Sequence, residues 1–313
     1  MSRQLLKAGA LVLLVALLDP MPGVHAQDAA RHPFFDKPML MGAHRGGAKW
    51  RPEATAKTFT ELARLWPEVM LECDVRMTKD GHIVVIHDGT VDRTTNGSGA
   101  IADLTLAEVQ ALDAGFRFTK DKATYPYRGQ GYRVPTLAEA LAVAPENNWL
   151  VEIKDQPNID VESVIREIEK AGMVERVLLA SFNPTYMTRA RAANPTIARC
   201  FNSETRKGLT EALKSGAWEA YEPVDQVFSI NYKRVEQYGL TEQDYAIIQT
   251  KGIPICAYTV NDTDAMTHLL SLGVMSMLTD FPNDLASQIV DWYRDHDKPE
   301  LWHLNDLGYI DPL

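Results

Sequence analysis

Val69-Met70-Leu71-Glu72-Cys73-Asp74-Val75-Arg76-Met77-Thr78-Lys79-Asp80-Gly81-His82-Ile83-Val84-Val85-Ile86-His87-Asp88 is the stretch on which the reading of this chain turns. Two apolar runs flank Thr78-Lys79-Asp80-Gly81. Four residues are too few for a crossover helix, whereas Asp-Gly is a strong tight-turn signal. The stretch therefore reads as a β-hairpin. With the turn centred on Lys79-Asp80, Met77 faces His82, Val75 faces Val84 and Glu72 faces His87. On a strand, side chains two residues apart share a face, so Glu72 and Asp74 point one way and Cys73 the other.

Outward from the hairpin, short apolar runs alternate with helical segments. Further strands are expected at Met39–Ala43, Trp149–Ile153, Val177–Phe182, Ile197–Phe201, Val227–Asn231, Pro254–Thr259 and Val274–Thr279. Helices are expected at Ala54–Leu65, Thr136–Val143, Val161–Ala171, Pro184–Ala193, Leu209–Lys214, Glu242–Gln249 and Thr263–Leu270. Strand-helix alternation argues for a parallel sheet. At this length the leading architecture is a single α/β domain, the (β/α)8 TIM barrel, with the hairpin's return strand as a ninth, surplus strand. A doubly wound open sheet is the alternative, but no Gly-x-Gly-x-x-Gly turn follows the first strand.

The remaining chain reads as additions to that barrel. Residues 1–26 look like a signal peptide: Arg3 and Lys7, an apolar run from Ala8 to Leu18, then Val24-His25-Ala26 as a cleavage site. The run is too short for a stable bilayer anchor, so a periplasmic or secreted protein without stable membrane insertion is expected; an uncleaved anchor is the other reading. Residues 27–313 form the barrel domain. Within it, about 100–135 is a loop-rich insertion, with Phe116, Phe118, Tyr125, Tyr127 and Tyr132 suited either to a substrate-facing lid or to a plain surface excursion. Residues 283–313 supply a C-terminal helix (Asp284–Asp295) and an irregular tail carrying Trp302 and Tyr309. The net charge of −10, with basic residues scattered, lacks the basic stripe of a nucleic-acid binder. Cys73, Cys200 and Cys256 lack metal-site spacing and read as buried free thiols.

Ionisable residues then recur where an apolar strand should end. His44 follows Met39–Ala43. Glu72 and Asp74 lie inside Val69–Val75, His87 and Asp88 end Ile83–Ile86, Glu152 and Lys154 end Trp149–Ile153, and Asp280 ends Met275–Thr279. Charge at the end of a buried strand is costly unless it is paired or binds a metal. Barrel active sites are built at the strand C-termini, so these clusters point to one site. Glu72, Asp74 and Glu152 converging there would repel one another. A divalent cation relieves that, and an all-oxygen set favours Mg²⁺ or Ca²⁺; salt bridges to Arg45, Arg76 and Lys154 are the alternative. His44 and His87 beside such a cage suit general acid–base work, and Arg45 suits phosphoryl oxygens.

These residues also sit in ordered blocks. Gly42-Ala43-His44-Arg45-Gly46-Gly47 with Arg51-Pro52-Glu53-Ala54-Thr55 resembles the His-Arg-Gly…Pro-Glu-Asn-Thr signature of glycerophosphodiester phosphodiesterases. Leu71–Gly81 with Val84–Asp88, then Asp92–Gly97, Val134–Glu139, Val151–Lys154, Ser181-Phe182, Ala257–Asn261 and Leu278–Pro282 are similar to further blocks of that family, in family order. The resemblance runs from about Met41 to Pro282. It implies a (β/α)8 barrel that hydrolyses glycerophosphodiesters to glycerol 3-phosphate and an alcohol. It implies His44 and His87 as the acid–base pair, Glu72, Asp74 and Glu152 as holders of the divalent cation, and Arg45 and Lys154 as phosphate contacts. It puts Glu53 near the metal and the glycerol, and Tyr258 in the wall of the substrate pocket, where many members carry Trp. Ala54 replaces the usual Asn. A lysophospholipase D or sphingomyelinase D-like activity is the rival reading, since the aromatic insertion would suit a long apolar chain.

Overall fold

The computed structural model describes residues 32–37 and 39–296. The expected leader and the tail beyond residue 296, with Trp302 and Tyr309, lie outside these residues. Nine strands are present among them: β1 (Met41–Ala43), β2 (Met70–Met77), β3 (Ile83–Val85), β4 (Trp149–Ile153), β5 (Val177–Ala180), β6 (Ala198–Arg199), β7 (Phe228–Asn231), β8 (Ile255–Tyr258) and β9 (Ser276–Thr279). Eight of them pair in parallel in the order β6-β5-β4-β2-β1-β9-β8-β7, with β3 off this path on β2. A single parallel bridge, Cys200 to Val227, joins β6 to β7 and closes the ring. The fold is the expected TIM barrel.

That seam is the thinnest part of the ring, and a buried ion network reinforces it. The Asp225 carboxylate accepts from Arg199 Nε at 3.3 Å, Arg191 at 2.6 Å and Thr205 Oγ1 at 2.9 Å. The Arg199 guanidinium also donates to the carbonyls of Pro195 and Ile197. Side-chain and backbone bonds there replace the strand pairing that a two-residue β6 cannot supply.

Alternation along the strands sorts the core into layers. Met70, Leu150, Leu178, Ala198, Cys200, Cys256 and Leu278 fill the barrel interior, above Phe34 and Met39. Leu71, Cys73, Val75, Val151, Ile153 and Leu179 face outward into the helix layer. Cys73 therefore points toward the helices, as its parity requires, and all three cysteines are buried and free. Nine helices are described: α1 (Ala56–Leu65), α2 (Leu106–Gln110), α3 (Leu137–Val143), α4 (Val161–Lys170), α5 (Pro184–Ala193), α6 (Ser203–Ser215), α7 (Gln243–Thr250), α8 (Thr263–Ser271) and α9 (Pro282–Asp295). Most start on a side-chain cap, among them Thr55, Thr136, Asn183, Asn202 and Asp262, which satisfies the free N–H groups of the first turn. α6 begins six residues before the expected Leu209, because Asn202 caps a polar first turn that periodicity does not mark.

The hairpin forms, with its register one residue from expectation. Met77 pairs with Ile83, Arg76 with Val84 and Val75 with Val85. The cause is the turn. Thr78 N–H donates to His82 O at 2.9 Å and Gly81 N–H to Thr78 O at 3.0 Å, with Gly81 at φ 85°. A left-handed glycine at the turn's end adds a residue to the loop, so the ladder shifts by one. β3 ends at Val85; Ile86 N–H still donates to Asp74 O at 2.9 Å, which carries His87 to the carboxylates.

The insertion holds one short α-helix that sequence reading missed, α2, preceded by a 3-10 turn at Ile101–Asp103 and opened by a Thr105–Glu108 capping box. It rests on β3 through Val84, Ile86, Val91, Ile101, Val109, Ala114 and Val134. Its aromatics pack on each other and on Arg128, whose guanidinium lies 4.2 Å from the Phe116 ring centroid and 3.6 Å from that of Tyr125.

Candidate active site

Strand register assembles the site. Ala43 is level with Leu71 on one side and with Thr279 on the other. The next residues up the barrel are His44, Glu72 and Asp280, which come together as neighbours. On the far side of β2, Asp74 is level with Glu152. Parallel strands thus bring five expected strand-end groups to one mouth, and the hairpin adds His87.

The loop after β1 makes this approach possible. Arg45, Gly46 and Gly47 adopt φ of 52°, 75° and 80°, a left-handed run that turns the chain across the barrel mouth. A Cβ on Gly47 would come within 2.8 Å of Pro282. The turn aims Arg45 N–H at Glu72 Oε2, 2.5 Å away.

Glu72, Asp74 and Glu152 each offer a carboxylate oxygen within 4.8 Å of the others. Glu72 and Asp74 are buried. Burial, and then the Asp74 charge, push the Glu72 carboxyl well above the usual carboxylate range. Lys154 Nζ lies 2.9 Å from Asp74 Oδ1 and 2.7 Å from Glu152 Oε1. Arg45 Nε stands 3.5 Å from Asp74 Oδ2, and neither atom has a hydrogen-bond partner although both are buried. With all three carboxylates ionised, Arg45 and Lys154 would leave one negative charge over. The orphaned Asp74 oxygen lies in this oxygen-only cluster, so the donor set fits a hard divalent cation.

Each histidine is held at Nδ1 by a carboxylate. His44 Nδ1 lies 2.7 Å from Asp280 Oδ1, and His87 Nδ1 lies 2.7 Å from Asp88 Oδ1. Asp280 is fixed in turn by Asn261 Nδ2 at 2.7 Å. Asp88 is fixed by Arg93 Nε at 2.7 Å, and Arg93 makes a bidentate pair with Glu53 at 2.7 and 2.8 Å. A carboxylate on Nδ1 keeps a proton there and leaves Nε2 as the free ring nitrogen. The two rings differ in setting. Burial lowers the His44 pKa, but the Asp280 bond and the Glu72 charge outweigh it, so the net shift is upward from 6.5. Burial lowers the His87 pKa; Asp74 and Asp88 oppose that, Lys154 and Arg45 reinforce it, and the net shift is downward.

Beside these groups opens a cleft of about 480 Å³, mouth included, lined among others by His44, Glu72, Glu152, Ser181, Phe182, Phe201, Arg206 and Tyr258. Tyr258 ends β8 and forms part of the wall. No residue of 100–135 is among the lining groups. Glu53 lies outside the close carboxylate cluster and binds Arg93 and, at 3.6 Å, Arg45. Ala54 sits buried at φ 57°, its N–H donating to Arg45 O at 2.8 Å. Asp88, Asp280, Asn261 and Arg93 complete the histidine settings. The first two are visible in the sequence as strand-end acids. Arg93 and Asn261 lie in loops where nothing but their blocks marks them.

The glycerophosphoryl diester phosphodiesterase family model matches residues 44–284. The chain belongs to that family. A glycerophosphodiester phosphodiesterase of Caldanaerobacter subterraneus subsp. tengcongensis is 32% identical over 256 residues, covering 80% of this chain and 97% of the relative. One of Bacillus subtilis is 29% identical over 261 residues, covering 78% of this chain and 84% of its own. The crystal structure of a glycerophosphodiester phosphodiesterase from Agrobacterium tumefaciens superposes with a TM-score of 0.62 at 24% identity, covering 79% of this chain and 98% of that one, which supports the fold. As a glycerophosphoryl diester phosphodiesterase family member, the protein is a phosphoric diester hydrolase.

Proposed function

We propose that this protein hydrolyses glycerophosphodiesters to glycerol 3-phosphate and an alcohol, with His44 and His87 as acid and base and with a divalent cation, Mg²⁺ or Ca²⁺, on Glu72, Asp74 and Glu152. The observation that carries it is the pairing of two carboxylate-held histidines with a buried carboxylate trio at one barrel mouth. Family membership supports the bond broken, and the different settings of the two histidines support the division of labour.

A phosphodiester needs its nucleophile deprotonated, its charged oxygens stabilised and its leaving alkoxide protonated. His87, with a lowered pKa, is neutral near pH 7 and can accept a proton at Nε2. His44, with a raised pKa, holds a proton more readily than an ordinary imidazole and can give it to the leaving oxygen. When bound, the cation supplies Lewis-acid stabilisation of the phosphoryl oxygens. Arg45 and Lys154 add positive charge beside it, and Arg93 and Asn261 hold the two orienting carboxylates. Tyr258 shapes the pocket wall. The −10 charge and the 11-residue apolar leader support an exported, soluble enzyme, which fractionation of tagged full-length protein would test.

The lysophospholipase D reading rested on the 100–135 aromatics. Phe118, Tyr127 and Tyr132 pack edge to face on one another and Phe116 and Tyr125 pack on Arg128, contacts that a plain surface excursion explains without a lipid pocket.

The test is release of glycerol 3-phosphate from glycerophosphocholine, run beside lysophosphatidylcholine. The expected result is turnover of the first, with His44→Ala and His87→Ala each folded and slower by at least about 10³-fold. Near wild-type turnover in either variant, or a preference for lysophosphatidylcholine, would overturn the proposal.

A further inference from the structure

Arg206, in the first turn of α6, is the one residue of the cleft whose charge is not accounted for by the chemistry above. Only 8% of it is exposed. Its Nε is buried with no hydrogen-bond partner, and among the described residues its guanidinium makes no ion pair. Among the described residues the one directed contact of the guanidinium is with the Tyr238 ring, 4.9 Å from the centroid. Glu152, an acid of the same cleft, is taken by Lys154. An unpaired buried guanidinium is costly unless something pairs with it, and an arginine lining a cleft can be paired by what the cleft binds.

The position of Arg206 says which part of a ligand it meets. In the ring order β1-β2-β4-β5-β6-β7-β8-β9, β6 stands four places from β1 in either direction. Arg206 follows β6, so it lies across the barrel mouth from His44, which follows β1. Phe182, Phe201, Ser229 and Tyr258 line the cleft with it. A diester with its phosphorus beside His44 and the carboxylates sends one arm toward Arg206. Glycerol is neutral, and its hydroxyls give a guanidinium no counter-charge. An anion on the alcohol does, and a planar fork suits a carboxylate or a second phosphate.

We infer that Arg206 is a specificity-determining residue that recognises an anionic group on the alcohol arm of the substrate. This rests on the phosphodiesterase reading above. The favoured substrate class is then glycerophosphodiesters whose alcohol carries a carboxylate or a further phosphate.

Glycerophosphoserine and glycerophosphoethanolamine differ by one carboxylate, which makes them the probes. The expected result is a wild-type kcat/KM at least about tenfold higher for glycerophosphoserine, the size of one charge-assisted contact. In Arg206→Gln that preference should shrink to within about threefold, through loss on glycerophosphoserine alone. Arg206→Lys should keep part of it. Equal loss on both diesters would assign Arg206 to the shared phosphoglycerol or to structure and overturn the inference. Absence of a wild-type preference would overturn it without any variant, whatever the folding of Arg206→Gln. If the wild type cleaves neither diester, the phosphodiesterase reading fails separately. Calorimetry with phosphoserine and phosphoethanolamine then decides: tighter phosphoserine binding that Arg206→Gln abolishes supports the subsite, and equal binding overturns it.

Discussion

His44 and Asp280 meet at 2.7 Å across 236 residues of chain, and the register of β1 against β9 makes them neighbours. The contact fixes the ring and raises the basicity of His44. Asp280→Ala should therefore act through His44. The expected loss in kcat/KM is roughly 10²-fold. The alkaline limb of the pH–rate profile should also move to lower pH, because the bond that lifts the His44 pKa is gone. A profile of reduced height and unchanged shape would assign Asp280 to structure alone.

The two histidines predict the profile of the unmodified enzyme. As the proposed base, His87 must be unprotonated, so activity should fall as pH drops through a pKa below 6.5. As the proposed acid, His44 must be protonated, so activity should fall as pH rises through a pKa above 6.5. The expected curve of kcat/KM is a bell with limbs on either side of 6.5. His87→Ala should remove the acid limb from the residual rate. A single limb in the unmodified enzyme would contradict the pairing.

In the proposed mechanism Glu72 couples cation binding to stability. Its carboxyl pKa is raised, from 4.5 to about 8, so the folded metal-free state binds a proton more tightly than the unfolded chain. Its penalty is absent below the unfolded value and grows as pH rises through that window. Metal-free protein should lose stability from pH 5 to pH 8. Mg²⁺ or Ca²⁺ at about a hundred times its dissociation constant should add about 2.7 kcal/mol. Glu72→Gln should raise the metal-free melting temperature at pH 8 and abolish the cation's increment. Calorimetric melts with chelator and with each cation read both effects; a cation increment retained in Glu72→Gln would move the binding site elsewhere.

Much of this was legible in the sequence, for physical reasons. Two-residue parity placed Glu72 and Asp74 inside and Cys73 outside, because burial on both faces of a barrel strand leaves no freedom in which side points where. The Asp80-Gly81 turn announced the hairpin, but its register depended on Gly81's left-handed φ, which Asp-Gly alone leaves open. α2 was hidden by its five-residue length, and the start of α6 by its polar first turn. Arg206 was illegible for a related reason. Ser203-Glu204-Thr205-Arg206-Lys207 reads as a solvated helix start, and only β6's position across from β1 turns that residue into the cleft. Local pattern fixed parity and element type. Partners distant in sequence, such as Glu53 with Arg93 or Asp225 with Arg199, required the ring to be closed.

That closure yields the last prediction. β6 and β7 share one bridge, and Asp225 spans the seam with a buried carboxylate bonded to Arg199, Arg191 and Thr205. Removing the acid leaves the Arg199 guanidinium, itself buried, without its only carboxylate among the described residues. Breaking one side of a buried pair costs about 3–5 kcal/mol. Asp225→Ala should lower stability by that amount in urea unfolding. Ser163→Ala, which removes the hydrogen bond from Ser163 Oγ to Asp160 in the first turn of α4 and leaves the backbone cap in place, should cost less than about 1.5 kcal/mol. Amide exchange should rise first in β6, β7 and the start of α6 if the seam opens locally. Equal costs for the two variants, or exchange spread evenly over the ring, would mean that the seam is held by the helix layer and not by Asp225.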